Sequence, residues 1–292
     1  MKISAAMVKE LRERTGSGMM ECKRALTAAE GDLELAVEQM RKAGLAKADK
    51  KSGRIAAEGT IGVKVSDDGK SVAMVDVNCE TDFVSKGDEF KGFAAAVAEA
   101  VLLADGETVD DINNLGLANG QTVDGVRREM IAKLGENITV RRVQKFASQG
   151  GTACYLHGSR IGVIVELQKA DVALGKDIAM HVAATNPLCL GEDNVPAEMI
   201  EKEKDIFSAQ AAESGKPAAI IEKMVTGRIK KYLAEVTLLG QAFIKDDKQT
   251  VAKIVAGQDN AIIRFKRFEV GEGIEKKEEN FADEVMAQVR GG

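Results

Sequence analysis

The chain contains few residues of the types that build enzyme active sites. Its 292 residues include two histidines, His157 and His181. A nucleophile–histidine system would have to use one of them, and neither has metal ligands at a useful spacing. His181 lies beside apolar residues in a predicted helix, which favours a structural role, whereas His157 lies in a predicted hairpin turn. Because no pair of carboxylates stands out as acid and base, the sequence predicts no enzyme activity and no metal site.

Nucleotide-binding and thiol motifs are also missing from the sequence. It has no GxxxxGK[ST] segment, which excludes a P-loop. Gly16-Ser17-Gly18 precedes a predicted helix but lacks a third glycine and an upstream strand, so it indicates a turn. The four cysteines form no CxxC pair and are expected to be reduced thiols packed in apolar space. We therefore expect no bound cofactor.

Composition and charge are those of a globular protein that does not bind nucleic acid in general. The chain is 45% hydrophobic and 30% charged, with a formal net charge of −5. Residues 1–56 are basic, with twelve Lys/Arg against eight Asp/Glu. An RNA-binding translation factor is an alternative that only this basic segment favours, since aromatic side chains are scarce. No apolar run has membrane-spanning length and the N-terminus is not of signal-peptide type, so a cytoplasmic location is expected.

The N-terminal segment is predicted to form three short helices over residues 1–43. Ser4 is a candidate N-cap, and the breaks at Thr15–Gly18 and Gly31-Asp32 separate apolar residues at helical spacing. A module of this size is marginal on its own and is expected to be tethered to something larger. Residues 44–56 are small and basic, which is typical of a linker.

The central sequence alternates β-hairpin and helix signals twice, which predicts an α+β core. Thr60–Val65 and Ser71–Val77 flank an Asp-Gly turn and precede a helix around Phe90–Leu103. The same order recurs in a second hairpin, a second helix and a later strand, at Ala153–Leu156, Gly162–Leu167, Leu174–Ala184 and Ile262–Val270. We interpret this as a weak internal duplication.

The remaining segments complete the predicted domain organisation. Residues 188–235 carry two charged helices around a Ser-Gly-Lys-Pro turn, which indicates an inserted helical hairpin. Its charged faces are those of a solvated surface or of a contact with a second copy or another partner. A short terminal helix is expected at Asn280–Val289. The predicted units are a core N-subdomain at 57–140, a core C-subdomain at 141–187 and 236–272, and a C-terminal module at 273–292.

Five segments, in order along the whole chain, resemble the elongation factor Ts family. They are Leu11–Lys23, Val77–Val84, Gly135–Ile138 followed by Arg141-Arg142, His157–Val163 and Phe268–Gly273. The resemblance implies an N-terminal module like a ubiquitin-associated domain, a two-part core and the long form with the inserted hairpin. It also implies the function of promoting GDP release from elongation factor Tu without bond chemistry.

The resemblance further implies which residues touch that partner. It assigns insertion near the Mg²⁺ side of the partner's GTPase domain to Asp82-Phe83, within the loop Thr81–Val84. It assigns docking on a helix of the same domain to Arg12, Met19 and Met20. Further contacts are implied for Gly135, Glu136, Asn137, Ile138 and His157.

From the residues alone, plainer interpretations stay open. Phe83 could pack under the following helix with Asp82 as its cap, and Met19 fits the apolar face of its own helix. The Gly135–Ile138 segment could be a turn, and His157 an exposed hairpin residue. The protein could also be an adaptor that holds elongation factor Tu without accelerating exchange.

Overall fold

The computed structural model describes residues 3–106 and 111–275. Within these ranges the chain is a mixed α/β protein with ten α-helices and small antiparallel sheets. The first helices are α1 (Ala5–Thr15), α2 (Met19–Ala28) and α3 (Leu33–Lys51). Ser4 caps α1 as predicted, and Gly16 ends it in the left-handed conformation. The three helices share a core that includes Leu11, Cys22 and Leu26.

The predicted linker at 44–56 is wrong in its first half, because α3 continues through Lys51. The extension packs against α6 (Val123–Leu134), and Ala48 is buried in the core beneath it. Gly44 lies so close to α6 that an added Cβ would be 2.8 Å from the Ala132 Cβ. The small residues that suggested a linker instead permit this close helix packing.

The first sheet has the order β1-β2-β3, with β1 at Glu58–Val65, β2 at Ser71–Cys79 and β3 at Thr139–Ala147. It is antiparallel throughout. The predicted hairpin is confirmed, and so is the helix after it, α5 (Asp88–Leu103), which packs on β1 and β2. The predicted boundary at residue 140 falls inside β3, a strand that the sequence interpretation did not identify.

The second sheet has the order β4-β5-β8, with β4 at Gly151–His157, β5 at Ile161–Leu167 and β8 at Ile262–Glu269. The second hairpin and the distant third strand are therefore confirmed. Helix α7 (Val172–Thr185) packs on β4 and β5.

The two sheets face each other, and α5 and α7 lie on their outer sides. Strand β2 is buried on both faces, because Val75 and Val77 point toward α5 while Met74 points toward the other sheet. Gly162 in β5 lies at the closest approach, where an added Cβ would meet Ile61 at 2.5 Å. Phe268 is buried in the same inter-sheet cluster.

A buried acid links the two sheets through arginine. Asp76 of β2 accepts a hydrogen bond from Arg142 at 2.8 Å. Arg142 also donates to the Glu269 carbonyl at 2.7 Å and lies over the Phe268 ring at 4.4 Å. Burial raises the pKa of Asp76, while the arginine hydrogen bond acts in the opposite direction.

Two further helices, α8 (Ala197–Ala212) and α9 (Ala218–Val236), lie between α7 and β8 in the sequence. They pack against each other. Arg228 of α9 donates to Gln210 of α8 at 2.6 Å. Beyond α9, β6 (Ala242–Phe243), β7 (Asp246–Thr250) and α10 (Val251–Gly257) were not predicted. The terminal helix expected at Asn280–Val289 lies outside the described residues.

His181 is fully buried in α7, as expected for a structural histidine. Its Nδ1 accepts from the Ile244 N–H at 3.2 Å, so its Nε2 carries the proton and donates to the Gln241 Oε1 at 2.9 Å. Burial lowers the pKa of this imidazole. Protonation would also break the bond from Ile244.

We therefore expect a loss of stability on acidification that depends on His181. Its folded-state pKa lies below the unfolded value of about 6.5, so its contribution is complete above pH ~6.5. The contribution falls as the pH drops toward the folded pKa, by about 1.4 kcal/mol for each pH unit between the two values. Urea unfolding between pH 7 and 5 should show this slope in the wild type and in His157→Gln, but not in His181→Gln. An equal slope in His181→Gln would refute the assignment.

Candidate functional site

The candidate site is the short helix that follows β2. Helix α4 (Asp82–Ser85) begins after Thr81, whose hydroxyl accepts the Val84 N–H at 3.4 Å. Val84 is partly buried against the core formed by the first sheet and α5. The buried Ser85 hydroxyl donates to the Asp82 carbonyl at 3.0 Å. The helix is thus fixed on its inner side by residues 84 and 85.

Phe83 points away from this anchored side. Its side chain is 88% exposed, the largest exposure among the large apolar residues of the described ranges. The interpretation that Phe83 packs under the following helix with Asp82 as its cap is therefore wrong, because Asp82 lies in α4 and the N-cap of α5 is Gly87. An exposed phenyl ring has no stabilising role in the fold, and it is available to a partner.

Asp82 directly precedes Phe83 in α4 and forms an exposed ion pair. Its carboxylate is 2.6 Å from the Lys86 ammonium, and that hydrogen bond holds the pKa of Asp82 below its usual value. Asp82 is therefore a carboxylate at neutral pH. The exposed aromatic and the neighbouring negative charge form a compact feature at the tip of α4.

Arg12, Met19 and Met20 all lie on the surface of the N-terminal helices. Met19 is 60% exposed and Met20 is 69% exposed. The interpretation of Met19 as a core residue is therefore wrong, because Cys22 and Leu26 supply the inward face of α2. Adjacent exposed methionines form an adaptable apolar contact surface.

The segment 135–138 supports the loop from inside and exposes little of itself. Gly135 ends α6 in the left-handed conformation, and its carbonyl accepts from the Lys51 ammonium. Asn137 and Ile138 are buried, so their side chains present no surface to a partner. Glu136 is partly exposed, and its carboxylate is engaged by Thr81. The partner contacts implied for this segment stay a prediction, and its buried side chains face the interior.

His157 lies at the end of β4, at the tip of the second hairpin, and is exposed. Its Nδ1 is 3.2 Å from the Tyr155 hydroxyl. The structure gives no contact between His157 and the α4 helix. It belongs to the other sheet, so any role in partner binding would be at a separate contact.

The described ranges contain neither a metal-binding cluster nor a membrane-spanning helix. Across residues 3–106 and 111–275, no cluster of His, Cys, Asp or Glu could hold a metal ion. In those same ranges every helix is too short or too polar to cross a bilayer. All four cysteines are described and are free thiols, and burial raises the pKa of Cys79 to about 12. The described ranges instead present exposed apolar side chains at Phe83, Met19 and Met20, an arrangement typical of proteins that bind other proteins.

Comparison with known proteins gives the family. The sequence model of the family described as Elongation factor TS matches residues 80–272. The chain is 65% identical over 291 residues to Elongation factor Ts of Methylococcus capsulatus, covering 99% of each chain. It is 59% identical to that of Thioalkalivibrio sulfidiphilus, covering 100% of both, and 54% identical to that of Legionella pneumophila strain Philadelphia 1, covering 99% of both. The chain belongs to the elongation factor Ts family, as its sequence motifs indicated.

Proposed function

We propose that this protein is a guanine-nucleotide exchange factor for elongation factor Tu and works in the cytoplasm without bond chemistry. The observation that carries the proposal is Phe83, a bare aromatic ring on a braced helix beside the Asp82 carboxylate. Membership of the family supports the choice of partner.

The mechanism needs only differential binding. A nucleotide held at nanomolar affinity is stabilised by about 12 kcal/mol, so its spontaneous release is slow. A protein that binds the nucleotide-free partner more tightly than the nucleotide-bound one lowers the partner's affinity for nucleotide by the same factor, because the two binding equilibria are linked. Much of the nucleotide's hold comes from its phosphates and Mg²⁺, whose octahedral shell tolerates little displacement. Insertion of Phe83 and Asp82 beside that shell would loosen the metal and the phosphates together.

The proposed arrangement has one docking surface, on the N-terminal helices, and one short helix, α4, that acts on the nucleotide site of the partner. In this proposal the N-terminal module is ubiquitin-associated-like and docks through Arg12, Met19 and Met20. The halves β1–β2–α5 and β4–β5–α7 are a duplicated unit, and His157 supplies a contact from the second half. The α8–α9 hairpin is a candidate for self-association, which sedimentation of the full chain against a variant without residues 197–236 would test.

Binding measurements separate exchange from simple adaptor function. We expect the protein to bind nucleotide-free elongation factor Tu about 5- to 150-fold more tightly than the GDP-bound form, the usual range for coupled sites. Calorimetric titration of both forms at one Mg²⁺ concentration measures this ratio. Equal affinities would identify an adaptor and contradict the proposal.

Truncating Met20 should weaken docking without impairing the loop. We expect Met20→Ala to raise the half-saturating concentration in GDP release by roughly 5- to 30-fold, about 1–2 kcal/mol, as for a contributing interface residue. The maximal rate should be unchanged, since Phe83 is intact. Leu35→Ala removes an exposed apolar side chain from α3 of the same module and is the control. A lower maximal rate with unchanged half-saturation would contradict the docking role.

A further inference from the structure

Glu136 is bound to the backbone that leads into α4. One carboxylate oxygen accepts the Glu80 N–H at 3.1 Å and the Thr81 N–H at 3.0 Å. The other oxygen accepts the Thr81 hydroxyl at 2.6 Å. Hydrogen bonds to an ionised acceptor are the stronger ones. Three of them fix the two residues that immediately precede Asp82 and Phe83.

Glu80 in turn accepts a hydrogen bond from the backbone next to Glu136. Its carboxylate accepts the Asn137 N–H at 2.6 Å, and Arg54 lies 3.5 Å from its second oxygen. Each glutamate therefore binds the backbone next to the other glutamate. We name this reciprocal pair the carboxylate clamp. Two negative charges are held close together, and the backbone donors and Arg54 compensate for their repulsion.

We propose that Glu80 and Glu136 are positioning residues for nucleotide exchange, which hold the α4 helix so that Phe83 and Asp82 meet the partner in a fixed orientation. This inference rests on the proposed exchange function. It reassigns Glu136, because its carboxylate acts inside the protein rather than on the partner.

The physical need for such a clamp follows from the size of α4. An isolated helix of one turn is unstable in water, because the backbone entropy lost on forming it exceeds the stabilisation from its few hydrogen bonds. Val84 fixes the C-terminal side of the turn in the core. The clamp fixes the N-terminal side, so the exposed ring between them is ordered before binding. A loop already in its bound geometry loses less entropy on association.

The clamp also connects the loop to the N-terminal module. The Asn137 side-chain amide donates to the Arg54 carbonyl at 2.7 Å, just beyond α3. Lys51, the last residue of α3, donates to Gly135. The end of α3 and the loop thus share one set of supports. Docking through α1 and α2 would therefore place Phe83 at a defined distance along the partner.

The test compares Glu136→Ala with Glu136→Gln in GDP release from elongation factor Tu. Glutamine keeps an oxygen for the two N–H donors and can donate to the Thr81 hydroxyl, so it preserves the clamp without the charge. We expect alanine to lower the maximal release rate about tenfold, within the range for coupled neighbours, and glutamine to restore most of it. Asp171→Ala removes a carboxylate that caps α7 on the other sheet and should change release less than twofold.

A double-mutant cycle separates positioning from general damage. In an Asp82→Ala/Phe83→Ala background, Glu136→Ala should lower the release rate less than about twofold, because both side chains that it positions are already gone. An equal tenfold loss in that background would overturn the inference. If the wild type accelerates release and Glu136→Ala is just as active, the inference fails while the proposed function stands. If the wild type does not accelerate release, the proposed function fails first.

Cys79 reports on the clamp without the partner. Its buried thiol donates to the Thr81 carbonyl at 3.1 Å. We expect Glu136→Ala to speed alkylation of Cys79 about tenfold, with Glu136→Gln close to wild type and Cys22 unchanged as an internal control. Peptide mapping resolves the cysteines. Burial is the main cause of the raised Cys79 pKa, and the Glu136 charge adds to it. Because glutamine also removes that charge, equal acceleration in both variants would indicate a charge effect alone and contradict the clamp.

Discussion

Replacing Phe83 with alanine is expected to reduce GDP release from elongation factor Tu by about 30- to 1,000-fold in efficiency. The ring is exposed in the free protein, so its full apolar surface is available for burial in the partner. Truncation of a central aromatic anchor costs roughly 2–4 kcal/mol, which converts to that range. The free energy of unfolding should be unchanged, since the ring packs against nothing in the fold.

Leu103→Ala is the matched control for this prediction. Leu103 ends α5 in the same half of the core and is 77% exposed. Its truncation removes a similar apolar side chain from a different place, so exchange should change less than about twofold. Stopped-flow release of a fluorescent GDP analogue measures both variants. Similar losses in the two would mean that exposed apolar surface in general, and not the α4 tip, carries the activity.

Phe268→Ala should have the largest effect on stability. The ring is buried between the two sheets and lies under Arg142. Truncation of a buried phenylalanine leaves a cavity and costs about 3–5 kcal/mol. Denaturant unfolding followed by circular dichroism should show a lower midpoint. At temperatures where the variant stays folded, exchange should persist, because Phe83 lies on the other half.

Ile263→Ala is the control for Phe268, on the same strand. Ile263 is exposed on β8, so its truncation should change stability by less than about 0.5 kcal/mol. If both variants unfold at the wild-type midpoint, the two sheets are not held together by the cluster around Phe268. If Phe268→Ala abolishes exchange while folded, the two halves are coupled more tightly than the account allows.

Local signals in the sequence predicted the elements whose residues lie close together along the chain. Hairpins with Asp-Gly or His-Gly turns, helices with capped starts and the strand at 262–269 are all present. The prediction missed α6 and β3, and also β6, β7 and α10. Helix α6 and strand β3 follow the segment around 103–121, where the sequence carries few regular patterns. The alternation of charged and apolar residues in β3 is interrupted at Arg141, because the pairing with β2 shifts there: Asp76 pairs with Arg142 and Val77 with Val140.

The exposure of Phe83 and Met20 agrees with the sequence interpretation, whereas the residues that support α4 were not predicted. Phe83 and Met20 are apolar residues at positions that local packing does not use, and the family motifs mark both. The carboxylate clamp joins Glu80 to residues 136 and 137, far apart in sequence. Three of its hydrogen-bond donors are backbone N–H groups, which leave no residue-type signal. Only the pairing of β2 with β3 brings the two segments together.

Release of a fluorescent nucleotide from elongation factor Tu shows whether the α4 tip drives exchange. Elongation factor Tu loaded with a fluorescent GDP analogue is mixed with excess unlabelled GDP, alone, with the wild type, or with Asp82→Ala/Phe83→Ala. We expect strong acceleration by the wild type and little by the double variant at saturating concentration. Equal acceleration by both proteins would contradict the role of the α4 tip. No acceleration by the wild type, despite binding, would contradict exchange itself.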